Sequence, residues 1–174
     1  MAFNDFREFL DLCRKEHDLI EVDRYIDLNL EIGKALKKSY VNDGPVIIFK
    51  NNGTEFPAVG GVFGNRVKAL RALNVKNKDV LSWFAGVIDK PVPPVIVQDA
   101  PCQEIIIEGE DVDLSKYPIP QFSSLDGGPY LTAGISISKD PETEITDLGH
   151  YRFQAIGKNY FGFMAQPFHR LGKN

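Results

Sequence analysis

Hydrophobic and polar positions change period several times along the chain, and each change predicts an element. Phe6, Phe9, Leu10 and Cys13 recur at helical spacing, which predicts an amphipathic helix over 6–15 with Asn4 or Asp5 as its cap and Glu8 in the first turn. Leu19 to Val22 reads as a short strand. Leu30, Ile32, Ala35 and Leu36, set against Lys34, Lys37 and Lys38, give a second helix over 29–40, stopped by Asn42-Asp43-Gly44-Pro45. Val46 to Phe49 is an unbroken apolar run between turns, the mark of a buried strand. Further helices are expected over 66–73 and 78–88, the second with Trp83 and Phe84 in the core.

Pro91-Val92-Pro93-Pro94 removes backbone donors and fixes dihedrals, so it reads as a linker between an N-terminal α+β domain (1–94) and a second unit (95–174). Past it, Val95 to Val97 and Glu104 to Glu108 are expected as strands. Tyr130 to Ser138 alternates, with Leu131, Ala133, Ile135 and Ile137 on one face and Tyr130, Thr132, Ser136 and Ser138 on the other. After a turn at Asp140-Pro141-Glu142-Thr143, Gly149 to Ile156 alternates again: Tyr151, Phe153 and Ala155 oppose His150, Arg152 and Gln154. Gly157-Lys158-Asn159 signals a hairpin into a third strand, Tyr160 to Ala165. The result is an antiparallel meander whose middle strand carries Arg152.

Composition changes this picture little. Hydrophobic residues at 43% and charged ones at 25% are ordinary for a globular chain. A net charge of −4 without Lys or Arg runs argues against nucleic acid as a partner. The two cysteines, Cys13 and Cys102, form no metal or disulfide pattern and are expected as thiols in a reducing compartment. With no 18-residue apolar stretch and no leader-like N-terminus, the expectation is a soluble, cytoplasmic protein without membrane contact.

Candidate chemistry centres on Arg152. One reading is a solvated outer face; the other is a guanidinium fork that grips a carboxylate or phosphate in a pocket. Its surroundings favour the second: the Asp126-Gly127-Gly128-Pro129-Tyr130 loop, Asp147 before the strand, and Pro167-Phe168-His169-Arg170 after the next. Gly60-Gly61-Val62-Phe63-Gly64-Asn65-Arg66 could meet an anion at a helix start, but its spacing matches no phosphate-loop pattern, and a tight strand-to-helix turn is preferred. Glu110, Asp111 and Asp113 crowd three carboxylates into four positions; a solvated acidic turn is preferred to a metal site. His17 reads as a surface residue near a helix end.

Several stretches, in order, carry a resemblance: Asp27-Leu28-Asn29-Leu30-Glu31-Ile32-Gly33, Gly44-Pro45-Val46-Ile47-Ile48-Phe49, Pro101-Cys102-Gln103-Glu104, Asp111-Val112-Asp113-Leu114, and Tyr117-Pro118-Ile119-Pro120. They continue with Asp126-Gly127-Gly128-Pro129-Tyr130-Leu131-Thr132-Ala133-Gly134, Lys139-Asp140-Pro141-Glu142 and Gly149-His150-Tyr151-Arg152. Along essentially its whole length the chain resembles the N-terminal part of the UbiD family of decarboxylases, which use prenylated FMN. The resemblance implies an α+β fold class: a small N-terminal α/β domain, then the first antiparallel strands of a split β-barrel, an incomplete flavin-binding domain. It implies that Arg152 holds the substrate carboxylate as the catalytic residue, and that Thr132, Leu148, His150, Tyr151, Arg152 and Gln154 contact the cofactor. A divalent cation, Mn²⁺ or Mg²⁺, would be held by Asp147 and His169, with K⁺ nearby. The family has Asn where Asp147 stands; Asp147 either ligates as a more strongly charged oxygen donor or is only a turn residue.

The family's third metal ligand, its catalytic glutamates and its dimerisation domain are expected beyond Asn174. The expected function is therefore part or a subunit of a reversible, non-oxidative carboxy-lyase acting on an aromatic or α,β-unsaturated carboxylic acid, in an oligomer or with a second subunit. The alternatives are a non-catalytic regulatory or assembly subunit, and a flavin reductase on a related barrel.

Overall fold

A computed structural model describes residues 3–166 and residue 172. The fold is mixed α/β with small sheets, and the chain divides into two compact units, neither continuous in sequence.

The first unit comprises Met1–Val22, Leu36–Phe49 and Val59–Glu108. Helix α1 (Phe6–Lys15) forms where expected. The Asp5 side chain accepts from the Glu8 N–H at 2.8 Å, satisfying an orphan donor of the first turn, and the Glu8 carboxylate reaches back to accept from the Asn4 N–H at 2.7 Å just before the cap. The helix ends at His17, whose left-handed backbone (φ 56°) lets the Asp18 N–H reach Cys13 O at 2.9 Å. His17 is thus an exposed helix-stop residue. Strands β1 (Leu19–Val22), β2 (Val46–Phe49) and β3 (Ala58–Gly60) form one sheet in that order, β1 parallel to β2. All four residues of β2 are buried, as an apolar run without alternation requires, and Val46 and Ile48 pack with Phe9, Leu10 and Cys13 of α1.

Helix α3 (Arg66–Leu73) follows β3 through a tight turn in which the Gly64 N–H bonds to Gly61 O at 3.1 Å. The Asn65 side chain caps the helix on the Lys68 N–H at 3.0 Å, so the glycine-rich stretch is a strand-to-helix turn with a protein group on the helix start. From α3, Lys68 and Arg71 reach inward. Lys68, its side chain 4% exposed, donates to Gly44 O and lies 3.6 Å from the Asp18 carboxylate; Arg71 pairs with Asp18 and, at 2.8 Å, with Glu16. Burial pushes the Cys13 thiol up from its ordinary value, against the opposing influence of the Arg71 guanidinium 3.9 Å away.

Two expectations in this unit are corrected. Helix α4 (Val80–Asp89) forms, but none of its residues is buried: Phe84 is 48% exposed and half-buried Trp83 packs edge-on against it, so the two rings cover each other and do not enter a core. Val95–Val97 and Glu104–Glu108 are not strands. Among the described residues they join no sheet, Ile96 is 95% exposed, and the link between them closes into a short turn at Pro101–Gln103. β-Branched composition favours a strand only where a ladder partner exists.

The second unit comprises Asp23–Ala35, Lys50–Ala58 and Gly109–Asn174. Helix α2 (Glu31–Val41) starts here, two residues later than its periodicity predicts. Leu30 is left-handed (φ 70°) and its N–H bonds to Gln121 O at 2.9 Å, so it belongs to a bridge with the 121 segment. Glu31 closes the entry, accepting from the Asp27 N–H at 2.9 Å and from Arg24 at 3.1 Å; the Asp27 hydrogen bond first, then Arg24, holds its carboxyl below the usual range. A Cβ on Gly33 would come within 2.9 Å of Phe122 O, so this close approach of helix and extended chain requires glycine.

Strands β4 (Tyr130–Leu131), β7 (Phe153–Ala155) and β8 (Phe161–Phe163) form a three-stranded antiparallel sheet in the order β4-β7-β8. Strands β5 (Ile135–Lys139) and β6 (Thr146–His150) form a separate antiparallel ribbon, closed by a turn in which Asp140 Oδ1 accepts from the Glu142 and Thr143 N–H groups at 2.8 and 2.9 Å. Each of the two long expected strands is therefore broken, at 132–134 and at 151–152, because its halves pair with different partners. The sense of the alternation is also reversed: Ser136 and Ser138 are half-buried, while Ile135, Leu148 and Ile137 (72%) are exposed. Arg152 accordingly lies in a two-residue link between ribbon and sheet, outside any strand.

Candidate functional site

The second unit holds a hollow of about 440 Å³ beside the β4-β7-β8 sheet, lined by Tyr130, Arg152, Gln154, Gly162, Phe163 and Met164. Strand register explains why these residues meet. Tyr130 is paired across β4 and β7 with Gln154, and Gln154 across β7 and β8 with Gly162, so three strands bring a ring, an amide and a bare backbone side by side. Phe153 packs 5.9 Å from Phe161 and 5.5 Å from Phe163, ring centre to ring centre, and fixes the sheet beneath.

Two polar groups address the hollow. The Arg152 guanidinium carbon lies 5.6 Å from the centre of the Tyr130 ring. The Gln154 amide donates to Gly127 O at 2.7 Å, tying the 126–129 loop to β7. A planar cation of five donors, an amide and an aromatic–thioether wall can receive a planar anionic ligand: the cation takes an oxyanion and the wall takes a ring.

Of the residues expected at the site, Arg152 and Gln154 line this hollow. Thr132 is half-buried in the break between β4 and β5. Asp147, Leu148 and His150 lie on β6, opposite Ser138, Ile137 and Ile135; Asp147 is half-buried, Leu148 and His150 exposed. Tyr151 is half-buried in the link, its ring over Gly149. His169 lies outside the described residues. Among the described residues no group of three or more His, Cys, Asp or Glu side chains is placed to hold a metal ion. At the acidic stretch, Asp113 accepts from the Ser115 hydroxyl (2.6 Å) and N–H (2.9 Å), bonds that hold its carboxyl below the usual range.

Sequence reasoning set the Asp126–Tyr130 loop near Arg152 but did not single out the Tyr130 ring as its partner, nor Gly162, Phe163 and Met164 as lining. The hairpin signal at 157–159 fixes β7 against β8, and the expected meander set the 130–138 strand beside the 149–156 strand; what no local pattern announces is the register, Tyr130 opposite Gln154 and Leu131 opposite Phe153.

Residues 10–85 match the family model described as the 3-octaprenyl-4-hydroxybenzoate carboxy-lyase N-terminal domain, UbiD_N, and residues 95–174 match the Rift-related domain of the same carboxy-lyase, UbiD. Among solved structures, the chain is similar to the UbiD-class enzyme HmfF from Pelotomaculum thermopropionicum in complex with FMN, at 30% identity and a TM-score of 0.87, over 96% of this chain and 38% of that one. An evolved dimeric form of the same enzyme, in complex with prFMN, gives 31% and 0.88 over 96% and 40%. Vanillic acid decarboxylase from Sedimentibacter hydroxybenzoicus in closed form gives 26% and 0.89 over 98% and 39%. The chain thus spans about two fifths of the length of the solved structures it matches. No helix among the described residues is long and apolar enough to cross a membrane.

Proposed function

The chain belongs to the UbiD family of carboxy-lyases, and from that premise we propose that it supplies the carboxylate-gripping side of a reversible, non-oxidative decarboxylase site for an aromatic or α,β-unsaturated acid. The observation that carries this reading is Arg152, set beside an aromatic ring and an amide at the rim of a hollow large enough for a ring-bearing acid. Guanidinium offers two parallel donors to the carboxylate that leaves as CO₂, or that forms in the reverse direction. It holds that group in line and stabilises its charge, but it does not deliver the proton that replaces CO₂, because it stays protonated throughout. The proton belongs to a carboxyl of tuned pKa outside this hollow.

The cofactor of this reading is prenylated FMN, which when bound supplies the electron sink that decarboxylation of such acids requires and that ordinary side chains lack. The hollow's lining fits a planar anionic group: Tyr130 and Met164 offer ring-facing surface, and Arg152 and Gln154 offer polar partners. Thr132, Leu148, His150 and Tyr151 are proposed as further contacts. For the divalent cation, Mn²⁺ or Mg²⁺, the proposed ligands are Asp147 and His169, with K⁺ as a companion. We propose further that the strands β4 to β8 begin a split barrel, that residues 1–94 and 95–174 are the functional divisions, and that the working enzyme is a cytoplasmic oligomer completed by further polypeptide.

The test is Arg152→Ala in the cofactor-loaded enzyme, read as ¹³CO₂ exchange into a panel of aromatic and unsaturated acids. Loss of a charge-assisted bidentate contact predicts a fall in kcat/KM of about a hundredfold. Exchange at the wild-type rate would overturn the assignment.

A further inference from the structure

Arg152 has an orientation problem that the fold answers. It stands in the link between β6 and β7, and its side chain is exposed. A long side chain in such a place has many rotamers, and each must be given up before two donors can meet a carboxylate in register. The Tyr130 ring lies beneath it, 5.6 Å from ring centre to guanidinium carbon, within the range at which a cation is drawn to an aromatic face.

That ring is itself held. Tyr130 pairs with Gln154 across β4 and β7, and its N–H bonds to Pro120 O at 2.9 Å. The Gln154 amide then reaches back to Gly127 O at 2.7 Å and fastens the loop that leads into Tyr130. The fastening depends on glycine: a Cβ at Gly127 would stand 3.0 Å from the Gln154 amide nitrogen, and Gly128 has φ 153°. Gln154 lines the same hollow as Arg152 and Tyr130, so platform, fastener and fork form one connected group.

We propose that Tyr130 is the positioning residue for Arg152: its ring is a platform that aims the guanidinium across the hollow at a bound carboxylate, and the Gln154–Gly127 hydrogen bond keeps that platform in place. The inference rests on the reading of Arg152 as a carboxylate-binding group and adds what orients it. The ring face matters and the phenol hydroxyl does not. Tyr130→Phe therefore retains the platform, Tyr130→Leu removes it, and Gln154→Met loosens it while leaving the ring.

The experiment has two readouts. The first is the ring-current shift of the Arg152 side-chain protons by NMR, with the resonance assigned from its absence in Arg152→Ala. It should persist in Tyr130→Phe, vanish in Tyr130→Leu and shrink in Gln154→Met. The second is affinity for benzoate as a probe carboxylate. It should be unchanged in Tyr130→Phe and weakened about two- to fivefold in Tyr130→Leu, the size of an exposed cation–ring contact. An Arg152 shift that survives Tyr130→Leu overturns the platform. Benzoate binding that drops in Arg152→Ala but not in Tyr130→Leu overturns the aiming role. Should Tyr130→Leu fail to fold, Gln154→Met decides: an undiminished shift and unchanged affinity overturn the proposal. Benzoate binding untouched by Arg152→Ala, with the shift lost in Tyr130→Leu, strikes the carboxylate reading itself and leaves the stacking intact.

Discussion

Strand β2 of the first unit and strand β5 of the second are both rich in isoleucine, yet they meet opposite fates. Val46-Ile47-Ile48-Phe49 is buried along its whole length, whereas in β5 Ile135 and Ile137 stand in solvent and Ser136 and Ser138 turn inward. The difference lies in neighbours. Strand β2 has a strand on each side and α1 on its face, so nearly all the apolar surface it carries is taken from water. Strand β5 has one partner, β6, and the apolar residues of the ribbon, Ile135, Ile137 and Leu148, are left largely exposed. Hydrophobic pattern proposes a face; packing decides whether that face is inside.

The contrast can be broken most directly by deletion. Phe49→Ala should cost about 3–5 kcal/mol through the cavity it leaves, and Ile137→Ala about 0.5 kcal/mol or less, both by denaturant unfolding. A large loss at Ile137 would mean that the ribbon face is covered in solution. The charged side of the first unit comes next. Asp18→Ala leaves Lys68, buried on α3, and Arg71 without their shared carboxylate, and should cost about 2–3 kcal/mol, less than a fully buried pair because Asp18 retains some solvent. The exposed pair Lys139–Glu144 at the β5–β6 turn should cost a few tenths of a kcal/mol when Glu144 is replaced by Gln, by the same measurement. The smallest effect is one of pH. Asp113 and Glu31 have carboxyls lowered in the folded state, so what they contribute is complete above their ordinary values of 3.8 and 4.5 and is lost as pH falls through the lower folded values. The Tm gap between wild type and Asp113→Asn should be constant near neutrality and close in acid; a gap that widened there would reverse the sign.

Much of the first unit was legible because its signals are local. The Asp5 cap, the stripe of Phe9, Leu10 and Cys13, and the unbroken run at β2 lie within a few residues of what they determine. Leu30 shows where locality fails: its helical spacing is sound, but a hydrogen bond to Gln121, far along the chain, takes it out of the helix. The same holds at 132–134 and 151–152, where alternation continues through points at which the ladder changes partner. Arg152 could be named from its neighbours in sequence; the Tyr130 ring beneath it could not, since that contact depends on the register in which β4 meets β7.

The joint at Tyr151 and Arg152 has one more implication. Both hydrogen-bonded ladders stop short of it, the ribbon at His150 and the sheet at Phe153. A residue gained or lost there would therefore redirect the arginine while sparing every rung on either side. In this fold, chain length at one seam sets the reach of a single cation.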